Sequence, residues 1–199
     1  MEVYLRKTIL NSMIKEPIAF VPKKLILERK NTKESLEYLF IDMLRDIYWT
    51  EKYILRTLPE IAKSIYNELL LEAVEQHIDA IYKQNHRIEK CFELKGLKAS
   101  GKKSPAVEYL IQESKDNIEL FELGHARDAA IINTIQKISH YEISAYGTLK
   151  IMATVLNDKH CAILLRESKD EELRNDLILT DLAEKINQLA ANMEEEEVD

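Results

Sequence analysis

Glycine and proline are scarce, with four of each in 199 residues. Turn-rich architectures such as sandwiches and barrels need more breakers than that, so an all-helical chain is the reading that remains. Cysteine is nearly absent: Cys91 and Cys161 are too few for a disulfide framework or a structural zinc site. Both fall inside helical patterns and read as buried reduced thiols. A basic stripe is missing too. Twenty-eight Lys and Arg stand against 35 Asp and Glu, a net charge of −7, which disfavours a nucleic-acid partner. No apolar run approaches the length of a membrane span, and no secretory leader is visible, so a cytoplasmic location is expected.

What the chain has is helical periodicity. From Thr32 onward apolar residues recur at spacings of three and four. Helix A is expected over 33–66, capped by Asn31 or Thr32 and kinked at Pro59. Helix B follows over 69–95 and stops at Gly96. The stretch 97–105, LKASGKKSP, is the clearest loop. A shorter helix is expected over 105–122, with Ser104 as N-cap and Pro105 in its first turn. Gly124 separates it from helix C, 126–156, and Asn157-Asp158 turns the chain into helix D, 159–191. Two tight hairpins joined by one long connection give an antiparallel four-helix bundle of ferritin-like topology, with a short extra helix in the B–C crossover. Residues 1–33 carry Pro17 and Pro22 and an excess of Lys and Arg, and read as an N-terminal extension outside the bundle, loosely docked or disordered. The bundle is assigned to 34–191, and 192–199 to an acidic tail.

Carboxylates interrupt three of the four apolar stripes. On helix A, Glu51 stands between Ile47 and Leu55 in the stripe Phe40, Leu44, Ile47, Leu55, Leu58, Ala62. On helix C, Glu142 stands between Ile138 and Tyr146. On helix D, Glu172 and Asp176 stand between Ser168 and Leu179. Each interruption falls near mid-length, so antiparallel packing brings the acids to one level. One buried acid is most simply a misjudged stripe or an ion pair, with Arg87 and Lys137 as partners. Three at one level point to a bound cation, because an unpaired buried carboxylate costs several kcal/mol. Helix B offers His77 and Gln84 as auxiliary ligands, although a hydrogen-bonded core histidine is the commoner role for His77.

The segments LFIDMLRDIYWTEKYILRTLPEIAKS (39–64), AVEQHIDAIYKQNHRIEKCFELKG (73–96), SPAVEYLIQES (104–114), RDAAIINTIQKISHYEISAYGTLKIMA (127–153) and LLRESKDEELRNDLILTDLAEKIN (164–187) resemble the YciE/YciF-type stress proteins of the ferritin-like superfamily. The resemblance covers about 36–190. It implies a rubrerythrin-like bundle, commonly dimeric, with a two-metal carboxylate site, in a family linked to bacterial stress responses with no settled reaction. Residue by residue, Asp46, Tyr48 and Glu51 match the helix A pattern. Glu142 matches the last acid of the family's Glu-His-Tyr-Glu, and Glu172 and Asp176 match the helix D pair. Two positions depart: the family commonly has Glu where this chain has Ala80 and Ser139.

The expectation is therefore a stress-associated bundle whose core acids Glu51, Glu142, Glu172 and Asp176 bind iron or manganese at a partly degenerate site. With Ala80 in place of an acid, one ion is expected rather than two. The rival expectation is a metal-poor structural or interaction protein of the same fold. The pattern singles out ligands and no catalytic residue or small-molecule substrate. A homodimer is expected from outward apolar residues such as Leu39 and Ile54.

Overall fold

The computed structural model describes residues 32–196, with side chains described over 33–192. The expectations for residues 1–31, and for the end of the acidic tail, lie outside the described residues. Five helices follow one another: α1 (Thr32–Ala62), α2 (Glu68–Leu94), α3 (Pro105–Leu120), α4 (His125–Val155) and α5 (Lys159–Glu196). No strand occurs among the described residues. No helix there is long and apolar enough to cross a membrane.

The buried positions repeat every three and four residues on all four long helices. On α1 they include Phe40, Leu44, Ile47, Glu51, Ile54, Leu58 and Ile61; on α5, Cys161, Leu165, Ser168, Glu172, Asn175, Leu179, Leu182 and Ile186. That is a period of 3.5, the spacing of helices packed in a left-handed supercoil. A period of 3.6 drifts off this seam. It led to Leu55 where Ile54 is buried, and to Asp176 where Asn175 is buried. Ile54 therefore belongs to the core and offers no outward apolar surface, whereas Leu39 is exposed as expected.

The turns explain the order of the helices. Asn67 caps α2, its side-chain oxygen accepting from the N–H groups of Leu69 and Leu70 at 3.0 and 3.1 Å. Gly96 ends α2 at φ 66°, with Leu97 N–H bonded to Phe92 O and Gly96 N–H to Glu93 O. Asn157 repeats this device after α4 at φ 61°, with Asp158 N–H on Ala153 O. Ser104 precedes α3 as expected, but it does not cap it with its side chain. Its hydroxyl meets Tyr141 Oη at 3.0 Å instead and ties the crossover to α4.

α1 ends at Ala62, four residues before the expected boundary. The N–H groups of Tyr66 and Asn67 donate instead to the two oxygens of Asp128, at 2.9 and 2.8 Å. This buried carboxylate fastens the α1–α2 turn to the start of α4. α5 departs the other way and runs on to Glu196, beyond the expected 191.

Two apolar clusters fill the bundle. One gathers Ile54, Leu58, Val74, Ile81, Ile135, Ile138, Leu179 and Ile186, with Val107 and Ile111 of α3. The other gathers Phe40, Leu44, Ile47, Ile88, Phe92, Leu149, Ala153 and Leu165. α1 and α4 run antiparallel, since the start of α1 shares a cluster with the end of α4. The helices thus alternate in direction around the bundle, and the long α2–α4 connection accounts for the ferritin-like topology.

Asp128→Ala strands two backbone donors, and a loss of about 2 kcal/mol in unfolding free energy is expected. Chemical denaturation checks this, with the exposed Asp181→Ala as a control within about 0.5 kcal/mol of the parent.

A candidate metal centre between two apolar clusters

A polar layer separates the two clusters. Glu51 lies between Ile47 and Ile54 on α1, Gln84 between Ile81 and Ile88 on α2, Glu142 between Ile138 and Tyr146 on α4, and Glu172 between Ser168 and Asn175 on α5. All four are fully buried. His77, about two turns before Gln84 on α2, is buried as well.

Hydrogen-bond donors are shared unequally among the three acids. Glu172 is the best supplied. His77 Nε2 stands 3.1 Å from each of its oxygens, and Gln84 Nε2 donates to Oε1 at 2.9 Å. An ionised carboxylate has no proton to give, so Nε2 of His77 carries the hydrogen in this pair. Glu51 receives one short bond from the Tyr146 hydroxyl at Oε1, and its Oε2 has no partner. Glu142 receives none at either oxygen. It lies against the carboxylates of Glu51 and Glu172, so two acids face it where donors would be needed.

The acidities follow. Burial pushes Glu142 well above the usual carboxylate range, and the charges of Glu172 and Glu51 push the same way. Burial also raises Glu51 strongly, with the Tyr146 hydrogen bond opposing. Glu172 is held below its ordinary value: burial works against ionisation, but His77, Gln84 and Ser139 outweigh it. Tyr146 is raised far above a free phenol by burial and by the same acids, so it stays a donor.

The expected site residues thus divide. Glu51, Glu142, Glu172, His77 and Gln84 come together. His77, Glu142 and Glu172 each bring one ligand atom within 4.8 Å of the other two. Asp176 stands apart, with one oxygen bonded to Gln136 at 3.1 Å and the other 3.3 Å from His140. Ala80 is only half-buried at the edge of the α2 face, and the α2 side chains that reach Glu172 are His77 and Gln84. Ser139 is buried and accepts from Asn175 at 3.3 Å. The two cations considered as partners serve other acids. Arg87 forms a two-pronged pair with Glu171, at 2.6 and 2.7 Å, and Lys137 pairs with Glu113. Tyr146 and Asn175 belong to the layer; the sequence offers Tyr146 as a neighbour of the site, with aromatic packing as its commoner role, and passes over Asn175. Tyr146 reads there as one more apolar position, and Asn175 falls on the core face only under the 3.5-residue period.

The comparison with known proteins agrees with this fold. The family described as "Domain of unknown function (DUF892)" matches residues 35–192. The chain belongs to that family. Within reach of DUF892 members, protein YciF of Escherichia coli K12 is 39% identical over 161 residues, covering 80% of this chain and 97% of YciF. The crystal structure of that E. coli stress protein superposes with a TM-score of 0.74 over 77% of this chain and 97% of the other. YcfI from Rhodopseudomonas palustris gives 0.70 at 32% identity, over 73% and 92%. A Xanthomonas campestris protein at 22% identity shares the fold, with a TM-score of 0.62 over 83% and 99%. The resemblance read from the motifs therefore stands, and so does the ferritin-like bundle.

The raised carboxyls set a pH dependence of unusual sign for the metal-free protein. A group whose folded pKa exceeds its unfolded value binds more protons when folded, so stability falls as pH rises through that window. The melting temperature should therefore rise as pH is lowered from neutrality toward the ordinary carboxylate range. The lowered Glu172 adds nothing here, because its contribution is lost only near and below the ordinary carboxylate range. Thermal melts across this range check it, and Glu142→Gln should flatten the slope.

Proposed function

We propose that this chain is a ferritin-like stress-response protein that holds one divalent cation, iron or manganese, at mid-bundle. The observation that carries the reading is Glu142. Both of its oxygens are buried without a donor, between two other buried acids. An arrangement of that kind is costly for the protein alone and suits a cation. Glu142, Glu172 and His77 would hold the ion, with Glu51 beside them; His77 would bind through a ring nitrogen that carries no hydrogen, either Nδ1, which has no partner, or Nε2 once its hydrogen is lost. A bound iron or manganese would supply Lewis acidity and access to one-electron chemistry. The protein's own residues do the rest: Gln84 orients Glu172, Tyr146 orients Glu51, and the apolar clusters on either side exclude water. One ion fits better than two. Asp176 is bonded elsewhere, Arg87 engages Glu171, and α2 contributes an amide where a second ion would need an acid. The stress role rests on the likeness to YciF, named a stress protein.

A second reading, a metal-poor structural member of the family, is favoured by a specific observation. Glu172 and Glu51 already have protein donors, so the layer is partly satisfied without an ion. Titration calorimetry with Mn(II), and with Fe(II) under anaerobic conditions, separates the two. The expected result is one ion per chain for the parent, loss of binding for Glu142→Ala, and tighter binding by about tenfold for Gln84→Glu. No heat from either metal would establish the structural reading.

We further propose that the protein works as a homodimer. Exposed Leu173, Leu177 and Ile178 on α5 and Leu69 on α2 supply apolar surface beyond the core. Sedimentation equilibrium at micromolar concentration should give twice the chain mass, and a monomer there would end this proposal.

A further inference from the structure

The seam between α1 and α2 has an outer side that the carboxylate layer does not use. A groove of about 720 Å³ lies there, within the size range of small-molecule sites. Tyr48 and Trp49 of α1 and Tyr82 of α2 give it aromatic surface. Trp49 is the chain's only tryptophan, and it stacks on Tyr53 with ring centroids 4.8 Å apart. Gly101 closes the rim. A Cβ there would stand 2.9 Å from Trp49 Cβ, so only glycine lets the crossover loop lie this close. The bond from Lys102 N–H to Arg45 O, 2.9 Å, holds the loop in place.

The charges of the groove are lopsided for a chain of net −7. Its carboxylate, Glu89, is already engaged: it accepts from Tyr48 Oη at 3.0 Å and stands 3.2 Å from His86. Lys52 donates to Tyr48 Oη at 2.9 Å. Arg56 donates from Nε to the Lys52 carbonyl at 3.0 Å and lies over the Tyr53 ring, 5.8 Å from its centroid, and among the described residues no carboxylate pairs with it. The groove thus offers two cations against one satisfied acid. Its lining also holds an unanswered polar group. Asn85 is 7% exposed, and its buried Nδ2 has no partner. A buried amide donor without an acceptor is destabilising, and a ligand acceptor would recover that cost.

We propose that this groove binds a planar aromatic molecule carrying an acidic group. The ring lies against Trp49 and Tyr82, the acid meets Arg56 and Lys52, and a ring or side-chain acceptor takes the Asn85 amide. Stacking and charge-assisted hydrogen bonding are the two interactions these side chains are built to make. The site is separate from the proposed metal centre, and its test does not depend on whether a metal binds.

Trp49 is the reporter. Emission is followed while flavin mononucleotide, riboflavin, 1-naphthoate or inorganic phosphate is added to the full-length protein. The expected result is saturable quenching by flavin mononucleotide or by 1-naphthoate. Riboflavin, which lacks the phosphate, should bind about tenfold more weakly than flavin mononucleotide, and phosphate alone should produce no change. Arg56→Ala, an exposed substitution, should remove the difference between the two flavins, while Asn85→Leu should weaken both. Unsaturable quenching by both aromatic acids overturns the proposal. So does equal binding of riboflavin and flavin mononucleotide by the parent. A second copy of the chain is the rival occupant. If Trp49 emission changes on dilution in step with a dimer–monomer transition, and added ligand leaves it unmoved, the groove is an interface and the proposal fails.

Discussion

Three ionisable acids buried in one layer of a helical bundle form the constraint on which the rest of the structure turns. Apolar residues fill the seam above and below, so the two clusters are held apart by Glu51, Glu142 and Glu172 rather than merging. Such a layer is tolerable only when each acid finds a proton, a donor or a cation. The surrounding side chains are arranged around that need. Tyr146 serves Glu51, and His77 and Gln84 serve Glu172. Glu142 is left to its neighbours, which are acids themselves.

The unequal distribution has an electrostatic consequence. Glu172 stays ionised because its donors overcome burial, and its charge then works on Glu142 across the layer. Without a cation, Glu142 is the natural holder of a proton. With one, the proton leaves and the ion takes over the same task. Proton and metal thus compete for one place, which is how folding stability and metal affinity become linked to pH. α2 limits how much positive charge the layer accepts. Gln84 gives Glu172 a donor but brings no charge, and Arg87 spends its charge on Glu171 at the edge.

Much of this was legible from the residues. Scarce glycine and proline and steady three-and-four spacing led directly to long helices, and the short Asn157-Asp158 turn and the long connection between helices B and C, with its own short helix, fixed the order of packing. Glu51, Glu142 and Glu172 stood out because each broke an apolar stripe near its middle. The errors have one physical origin. An ideal helix advances 100° per residue, but supercoiled helices keep a 3.5-residue seam, and the difference of about 20° per heptad accumulates along α5. By Asp176 the ideal helix had turned the acid inward, while the real seam carries Asn175. Tertiary diversion accounts for the rest. The α1 boundary depends on Asp128, 62 residues away from Tyr66, and Ser104 prefers Tyr141 to its own helix. No local rule anticipates such partners.

Likeness to YciF and YcfI secures the fold and the family; the buried layer is what gives the family's bundle a chemical role to examine in this chain. The most direct test is a crystal of the protein grown with Mn(II), with anomalous scattering recorded at a wavelength that favours manganese. The account predicts one anomalous peak per chain, within bonding distance of Glu142 and Glu172 and with His77 in its coordination shell. Two peaks in the layer would contradict the single-ion site. A map without a peak there, from crystals that show manganese bound elsewhere, would contradict the metal reading itself.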